Sequence, residues 1–202
     1  KICNKVLEAE TICSFYLAPH DERPLPPFQP GQFLTFELQV NGQSKPVIRC
    51  YSLSDAPTHP EYYRVTIKRI PPPPKDPDKP PGVGSGYFHN QLRIDDIIDV
   101  KAPSGNFYLD TQSDAPVVLI GGGIGITPVL SMANYLADSG SRREVWFFYG
   151  VSNGLEHIQK EHLNTLEKIP NFHVRVCYSD PLDTDIKGED FQVSARVSIE
   201  LL

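Results

Sequence analysis

Val117-Val-Leu-Ile-Gly-Gly-Gly-Ile-Gly-Ile-Thr-Pro128 is the stretch of this chain best equipped for chemistry. Glycines at 121, 122, 123 and 125 strip a tight turn of side chains, so another molecule can approach the backbone closely. The apolar run Val117 to Ile120 reads as a strand buried on both faces. Thr127 is a good N-cap and Pro128 suits the first helical position. A helix is therefore expected from Pro128 to Asp138, with Val129, Met132, Ala133 and Leu136 turned inward. Strand, bare turn and helix N-terminus make a cradle for phosphate, because free amides and the helix dipole face the same anion. The spacing Gly-Gly-Gly-x-Gly-x-Thr-Pro differs from the common Gly-x-Gly-x-x-Gly, and a glycine turn without a ligand is the plain alternative.

Two further clusters lie in the first half. In Arg49-Cys-Tyr-Ser52, read as a strand, Arg49 and Tyr51 share one face while Cys50 and Ser52 share the other. A cation beside an aromatic ring suits a phosphate joined to a flat ring system; a surface cross-strand pair is the alternative. In Gly82-Val-Gly-Ser-Gly-Tyr-Phe-His-Asn-Gln-Leu92, Ser85 is expected to cap a short helix that packs Tyr87, Phe88 and Leu92 inward. Its three glycines bare the backbone beside a second helix N-terminus, and His89 is expected to stand partly exposed.

The elements that must hold these clusters follow two grammars. Before Gly121, residues alternate with a period of two, as in Leu34, Phe36, Leu38 and Val40, followed by the hairpin signal Asn41-Gly42. Further strands are expected at Val47–Ser54, Tyr62–Ile70 and Ile97–Ala102, with two more within Lys1–Leu17. After Pro116 the pattern becomes strand–helix–strand: strand Glu144–Tyr149, helix Leu155–Ile169 and strand Phe172–Tyr178. That alternation implies a parallel sheet with helical crossovers. The segment Pro71–Pro81 cannot be sheet or helix interior and reads as a stiff solvent-exposed loop.

Composition narrows the function classes. A formal charge of −6 over 202 residues gives no electrostatic support for nucleic acid or an anionic membrane. No apolar run approaches the length of a membrane span. The scattered Cys3, Cys13, Cys50 and Cys177 contain no Cys-x-x-Cys, which argues against a zinc site or a disulfide scaffold and for reduced thiols in the cytoplasm. His157 and His162 stand five apart on the expected helix, so they do not share a face as metal ligands would, and are expected to be solvated.

Taken in order, Pro30-Gly-Gln-Phe33, Arg-x-Tyr-Ser, the Gly-x-x-Ser helix start, Pro103-Ser-Gly-Asn-Phe107 and Gly-Gly-Gly-Ile-Gly-Ile-Thr-Pro resemble the ferredoxin–NADP reductase superfamily. Within it the chain is most similar to the reductase module of flavohaemoglobins and to the NADH-dependent reductases of oxygenase systems. The resemblance implies two domains, β then α/β. Residues 1–111 would form an antiparallel six-stranded Greek-key flavin-binding barrel, and residues 115–202 a parallel-sheet nucleotide-binding α/β domain, truncated at its C-terminus. It places Arg49 at the flavin phosphates, Tyr51 against the isoalloxazine and Ser52 near N5. Thr66, Ile67 and Lys68 would line the flavin, while Gly84, Ser85 and Gly86 would hold its diphosphate. Gly123, Gly125, Thr127 and Pro128 would shape the pyridine nucleotide site; Ser52 and Thr127 are the catalytic candidates, and no metal is expected.

The implied activity is that of an NAD(P)H reductase passing a hydride to FAD, preferred over FMN because Ser85-Gly-Tyr-Phe-His-Asn90 matches the flavohaemoglobin segment Ser-x-x-x-His-Asn. The implied acceptor is an iron–sulfur or haem group, on a partner or on the same longer polypeptide. A flavin- or nucleotide-sensing or docking domain without turnover is the alternative. NADH is expected over NADPH, since Asp180 stands where NADP-dependent members carry Arg, with Asp183 and Asp185 adding negative charge. The family's closing Cys-Gly-Pro strand is absent, and Leu201-Leu202 reads as the start of a helix, so the chain is expected to be a fragment.

Overall fold

The computed structural model describes residues 1–21 and 23–201. Its first half holds six strands, β1 (Ile2–Ala9), β2 (Ile12–Leu17), β3 (Phe33–Leu38), β4 (Val47–Ser52), β5 (Tyr63–Lys68) and β6 (Asp99–Ser104). They pair antiparallel as β1-β2-β5 and β4-β3-β6, and a bridge between Leu53 and Val65 joins the two sheets. The period-two pattern of β3 sends Leu34, Phe36 and Leu38 into a core shared with Phe15, Leu17, Val65 and Ile67. Helix α1 (Val83–Asn90) closes that core with Phe88, which meets Phe15, Phe36 and Tyr51 edge-on at 5.1, 5.1 and 5.2 Å. This is the antiparallel barrel the motifs implied. Strand limits move by a few residues: the expected Ile97–Ala102 strand is β6 at Asp99–Ser104, and β4 stops at Ser52.

The second half is β7 (Val117–Gly122), α2 (Ile126–Asp138), β8 (Val145–Val151), α3 (Lys160–Glu167) and β9 (Phe172–Tyr178), with the strands parallel in the order β7-β8-β9. Helix α2 packs on β7 and α3 on β9, burying Leu119, Val129, Leu130, Phe147, Leu163 and Val174. The run Val117–Ile120, expected to be buried on both faces, is buried on one only: Val118, Ile120 and Trp146 alternate with the buried residues of β7 and β8 and stand exposed on the face that the helices α2 and α3 do not cover. None of the described residues form a helix long and apolar enough to cross a membrane.

Four local expectations need correction. Helix α2 begins at Ile126 rather than Pro128, because a 3-10 turn at Gly123–Gly125 has already started the winding. Gly125 is its N-cap, and Thr127 lies inside the first turn, its hydroxyl donating to the Ile124 carbonyl at 3.2 Å. Likewise Gly82 precedes α1, and Ser85 sits within it, donating to Gly82 O and accepting from Ile70 N at 3.2 Å each. The expected helix Leu155–Ile169 is broken: a 3-10 turn at Gly154–Glu156 is held by Asn153 Oδ1 and Asp185, and Gln159 turns left-handed (φ 59°) before α3 begins. Leu155 consequently points to solvent. At the end of the chain Ile199–Leu201 forms a 3-10 turn, and Leu202, on which the expected helix start also rested, lies outside the described residues.

Candidate functional site

Strand β4 brings its arginine and tyrosine to one face, as the alternation requires, and α1 backs against them. A Cβ on Gly84 would stand 2.7 Å from Arg49 Cγ, 3.2 Å from its Nε and 3.2 Å from the Tyr51 hydroxyl, so only glycine admits this approach. Nine of the residues singled out from sequence line one cavity of about 350 Å3: Arg49, Tyr51, Ser52, Thr66, Ile67, Lys68, Gly84, Ser85 and Thr127. Cys50, Ile70, Gly82, Val83 and Ile124 complete the wall. Arg49 donates to the Ile48 carbonyl at 2.7 Å and has no carboxylate partner among the described residues, leaving its charge free for an anion. Burial pushes the Tyr51 phenol above its ordinary pKa, so the ring is a neutral surface. The Thr66 hydroxyl is already engaged by Ser14 and Ser54, each at 2.8 Å.

A second cavity, of about 380 Å3, opens where the parallel strands end. Ile120, Gly121, Gly122 and Gly123 form one wall, with Gly150 at the end of β8, Ser152 and Glu156 beyond it and Ser179 beyond β9; Arg196 reaches in from the C-terminal segment. Ligands of open parallel sheets gather at such strand ends. Lys68 of the first cavity and Glu156 of the second meet at 2.6 Å, and Ser152 donates to the same carboxylate at 3.2 Å. The Lys68 hydrogen bond, foremost, holds the Glu156 carboxyl below the usual range. Thr127 and Ile124 line the first cavity and Gly123 the second, so one turn is wall to both.

Other expected site residues stand outside these linings. Gly86, Gly125 and Pro128 line neither cavity, and neither does Asp180, whose amide donates to the Ser152 carbonyl at 2.8 Å beside Ser179. Ser152, Glu156 and Arg196 escaped the sequence reading. The strand-end rule could have found Ser152 and Glu156, which follow β8 directly. Arg196 carries no local signal; it arrives through the bridge between Cys177 and Val193. The histidines are not solvated, because the break before α3 turns them inward. His157 is buried, 2.8 Å from the Tyr178 hydroxyl, and desolvation lowers its pKa to about 4. His162 reaches Asn134 at 2.7 Å, and His89 is half-buried at 2.9 Å from the Ile67 carbonyl.

The first cavity fits a flavin nucleotide: an unpaired guanidinium, a bare backbone at Gly84 and a neutral aromatic ring stand on one wall. The second fits a nucleotide with phosphates, having a glycine turn, two hydroxyls and a guanidinium.

Comparison with known proteins agrees with that assignment. The oxidoreductase FAD-binding domain family matches residues 5–108, and the oxidoreductase NAD-binding domain family matches residues 119–201. A flavohemoprotein of Bacillus cereus is 39% identical over 202 residues, which is all of this chain and 49% of that protein. The chain thus spans about half the length of the curated relatives it matches. Among solved structures, the flavohem-like FAD/NAD binding domain of nitric oxide dioxygenase from Vibrio cholerae superposes with a TM-score of 0.82 at 28% identity, covering 100% of this chain and 80% of that one. Phthalate dioxygenase reductase, described as modular for electron transfer from pyridine nucleotides to a [2Fe-2S] centre, gives 0.67 at 27% identity, covering 88% of this chain and 59% of that one.

Proposed function

The chain belongs to the family of oxidoreductases built from an FAD-binding and an NAD-binding domain, and on that premise we propose that it is a reductase module taking electrons from NADH and delivering them to a haem or iron–sulfur acceptor. We assign residues 1–111 to the flavin and 115–202 to the pyridine nucleotide. The chemistry those groups supply when bound is hydride transfer from the reduced nicotinamide to the flavin, followed by release of electrons to the acceptor.

The chain's own residues bind, orient and exclude water. Arg49 meets the flavin phosphates, and Gly84 with Ser85 brings the first turn of α1 against them. Tyr51 presents a half-buried neutral face to the ring system. Ser52 and Thr127, hydroxyls from opposite halves, hold the ring region and the nicotinamide on either side of their contact. Lys68 closes one flank by pairing with Glu156. In the second cavity Arg196 takes the nucleotide's diphosphate, while Ser152, Ser179 and Glu156 face its ribose.

The observation that carries this reading is the lining of a single cavity by Thr127, from the N-terminus of α2, together with Arg49, Tyr51 and Ser52. A preference for NADH draws support from the carboxylates of Glu156 and Asp180 near the strand ends, where a 2′-phosphate would be repelled. The acceptor is proposed as a haem or an iron–sulfur cluster because a flavohemoprotein and a [2Fe-2S] reductase are among the similar proteins.

Stopped-flow bleaching of the bound flavin by NADH tests the activity, and absence of bleaching in the full-length protein would refute it. Comparing kcat/KM for the two nucleotides tests the preference. A tenfold advantage for NADPH, about 1.4 kcal/mol in transition-state binding, would overturn it.

A further inference from the structure

Helix α2 carries a polar stripe where a core-facing helix ordinarily carries apolar residues. Thr127, Ser131, Asn134 and Asp138 recur at helical spacing along one face, and the first three are buried. The last three all bond to the loop that follows Ser52. Ser131 Oγ donates to the Asp55 carbonyl at 2.6 Å, Asn134 Nδ2 donates to Asp55 Oδ1 at 2.8 Å, and Thr58 donates to Asp138 at 2.5 Å.

Asp55 is itself held on every side. Its Oδ1 also accepts from the Ala56 amide at 3.0 Å, and its Oδ2 accepts from the Tyr62 hydroxyl at 3.0 Å and pairs with buried Arg64 at 3.2 Å. Asn134 is clamped from its other end by His162 of α3, whose Nε2 donates to Asn134 Oδ1 at 2.7 Å. A fully partnered buried network specifies one geometry, because any shift leaves a donor or acceptor unpaired.

We infer that Asn134 is a positioning residue: clamped between Asp55 and His162, it fixes the height of the α2 N-terminus, and with it Thr127, above the cavity that Ser52 lines. The inference rests on the reductase reading above and adds the part that registers the two halves. Asn134 lies seven residues beyond Thr127, a lever of about 10 Å at 1.5 Å per residue. Over that length a tilt of about 6° displaces Thr127 by about 1 Å. Misplacement on that scale slows an oriented transfer by up to about 100-fold while leaving binding largely intact. Asn134 touches neither cavity, so its effect on transfer runs through the elements it ties together, helix α2 and the Asp55 loop.

The test compares the full-length protein with its Asn134→Leu variant, which keeps the branched heavy-atom outline and removes both bonds. FAD and NAD+ affinities are expected to stay within about threefold. Bleaching of the flavin by NADH is expected to slow by about 10- to 100-fold, and the charge-transfer absorbance of the reduced protein with NAD+ to disappear. Amide exchange in the first turn of α2 should accelerate while that of β3 stays unchanged. If Asn134→Leu fails to fold, Ser131→Ala should give the same pattern with smaller amplitude. Unchanged bleaching with the absorbance band intact would overturn the inference, and so would slowing only in proportion to flavin lost. A parent protein that binds both nucleotides but shows neither bleaching nor the band would instead overturn the reductase reading, and this inference with it.

Discussion

Gly84→Ala separates flavin binding from folding: binding should weaken sharply while stability barely changes. The added Cβ would stand 2.7 Å from Arg49 Cγ, closer than carbon atoms approach, so the arginine stem must rotate away. Arg49 is exposed and its guanidinium holds only the Ile48 carbonyl, so without ligand the rotation costs no more than a poor rotamer, about 0.5–1.5 kcal/mol. Against this, replacing glycine by alanine inside α1 favours the helix by about 1 kcal/mol, and Gly84 has an ordinary negative φ that alanine tolerates. Folding stability without flavin should therefore change by less than about 1 kcal/mol. With flavin present, the displaced guanidinium forfeits a charge-assisted phosphate contact of about 1.5–3 kcal/mol, which is a 10- to 150-fold rise in Kd. Fluorescence titration with FAD gives the Kd, and thermal unfolding of the flavin-free protein gives the stability. A variant that keeps its flavin affinity within about twofold would refute the placement of Arg49 at the phosphates. A variant that loses flavin only by unfolding would refute the argument from glycine.

Three shorter predictions follow from other contacts. The Lys68–Glu156 pair is about a third exposed, so a double-mutant cycle with Lys68→Met and Glu156→Gln should give a screened coupling of only about 0.5 kcal/mol. Because Glu156 is held below its ordinary pKa, that coupling is present above the unfolded carboxylate value of about 4.3 and fades as pH falls through the folded one; denaturation at successive pH values checks it. His157, with its pKa lowered to about 4 by burial, refuses a proton that the unfolded chain accepts below about 6.5, so stability should fall as pH drops through that window. His157→Phe should flatten that slope, and an unchanged slope would contradict the assignment. Arg196→Ala should weaken NAD+ binding about fivefold, as expected for an exposed charge-assisted contact, with FAD affinity unchanged by titration.

What the sequence disclosed divides along physical lines. The barrel strands were legible because burial imprints a period, as in Leu34, Phe36 and Leu38, and the apolar run Val117–Ile120 marked the strand β7 though only one of its faces is buried. The first cavity was legible because its residues sit in compact motifs, Arg49–Ser52 and Gly82–Gly86, whose local chemistry is unusual. What failed to show was set by tertiary contacts. Leu155–Ile169 has a helical apolar pattern, yet Asn153 and Asp185 capture its first turn and leave Leu155 in water. Arg196 enters the second cavity through a strand bridge that no local spacing foretells. Asn134 reads as an unremarkable polar residue among apolar neighbours, and only its pairing with Asp55, 79 positions earlier, gives it meaning.

The turn from Gly123 to Thr127 faces both cavities. In evolutionary terms it answers to two masters. A substitution there that adapts the chain to a different pyridine nucleotide alters the flavin's wall as well, and most such changes harm one ligand while helping the other. Drift should therefore be slowest across 121–128 and faster at Ser152, Glu156, Ser179 and Arg196, which line the nucleotide cavity alone. Lineages that change nucleotide preference would be expected to do so by editing the loops after β8 and β9, leaving the glycine turn untouched.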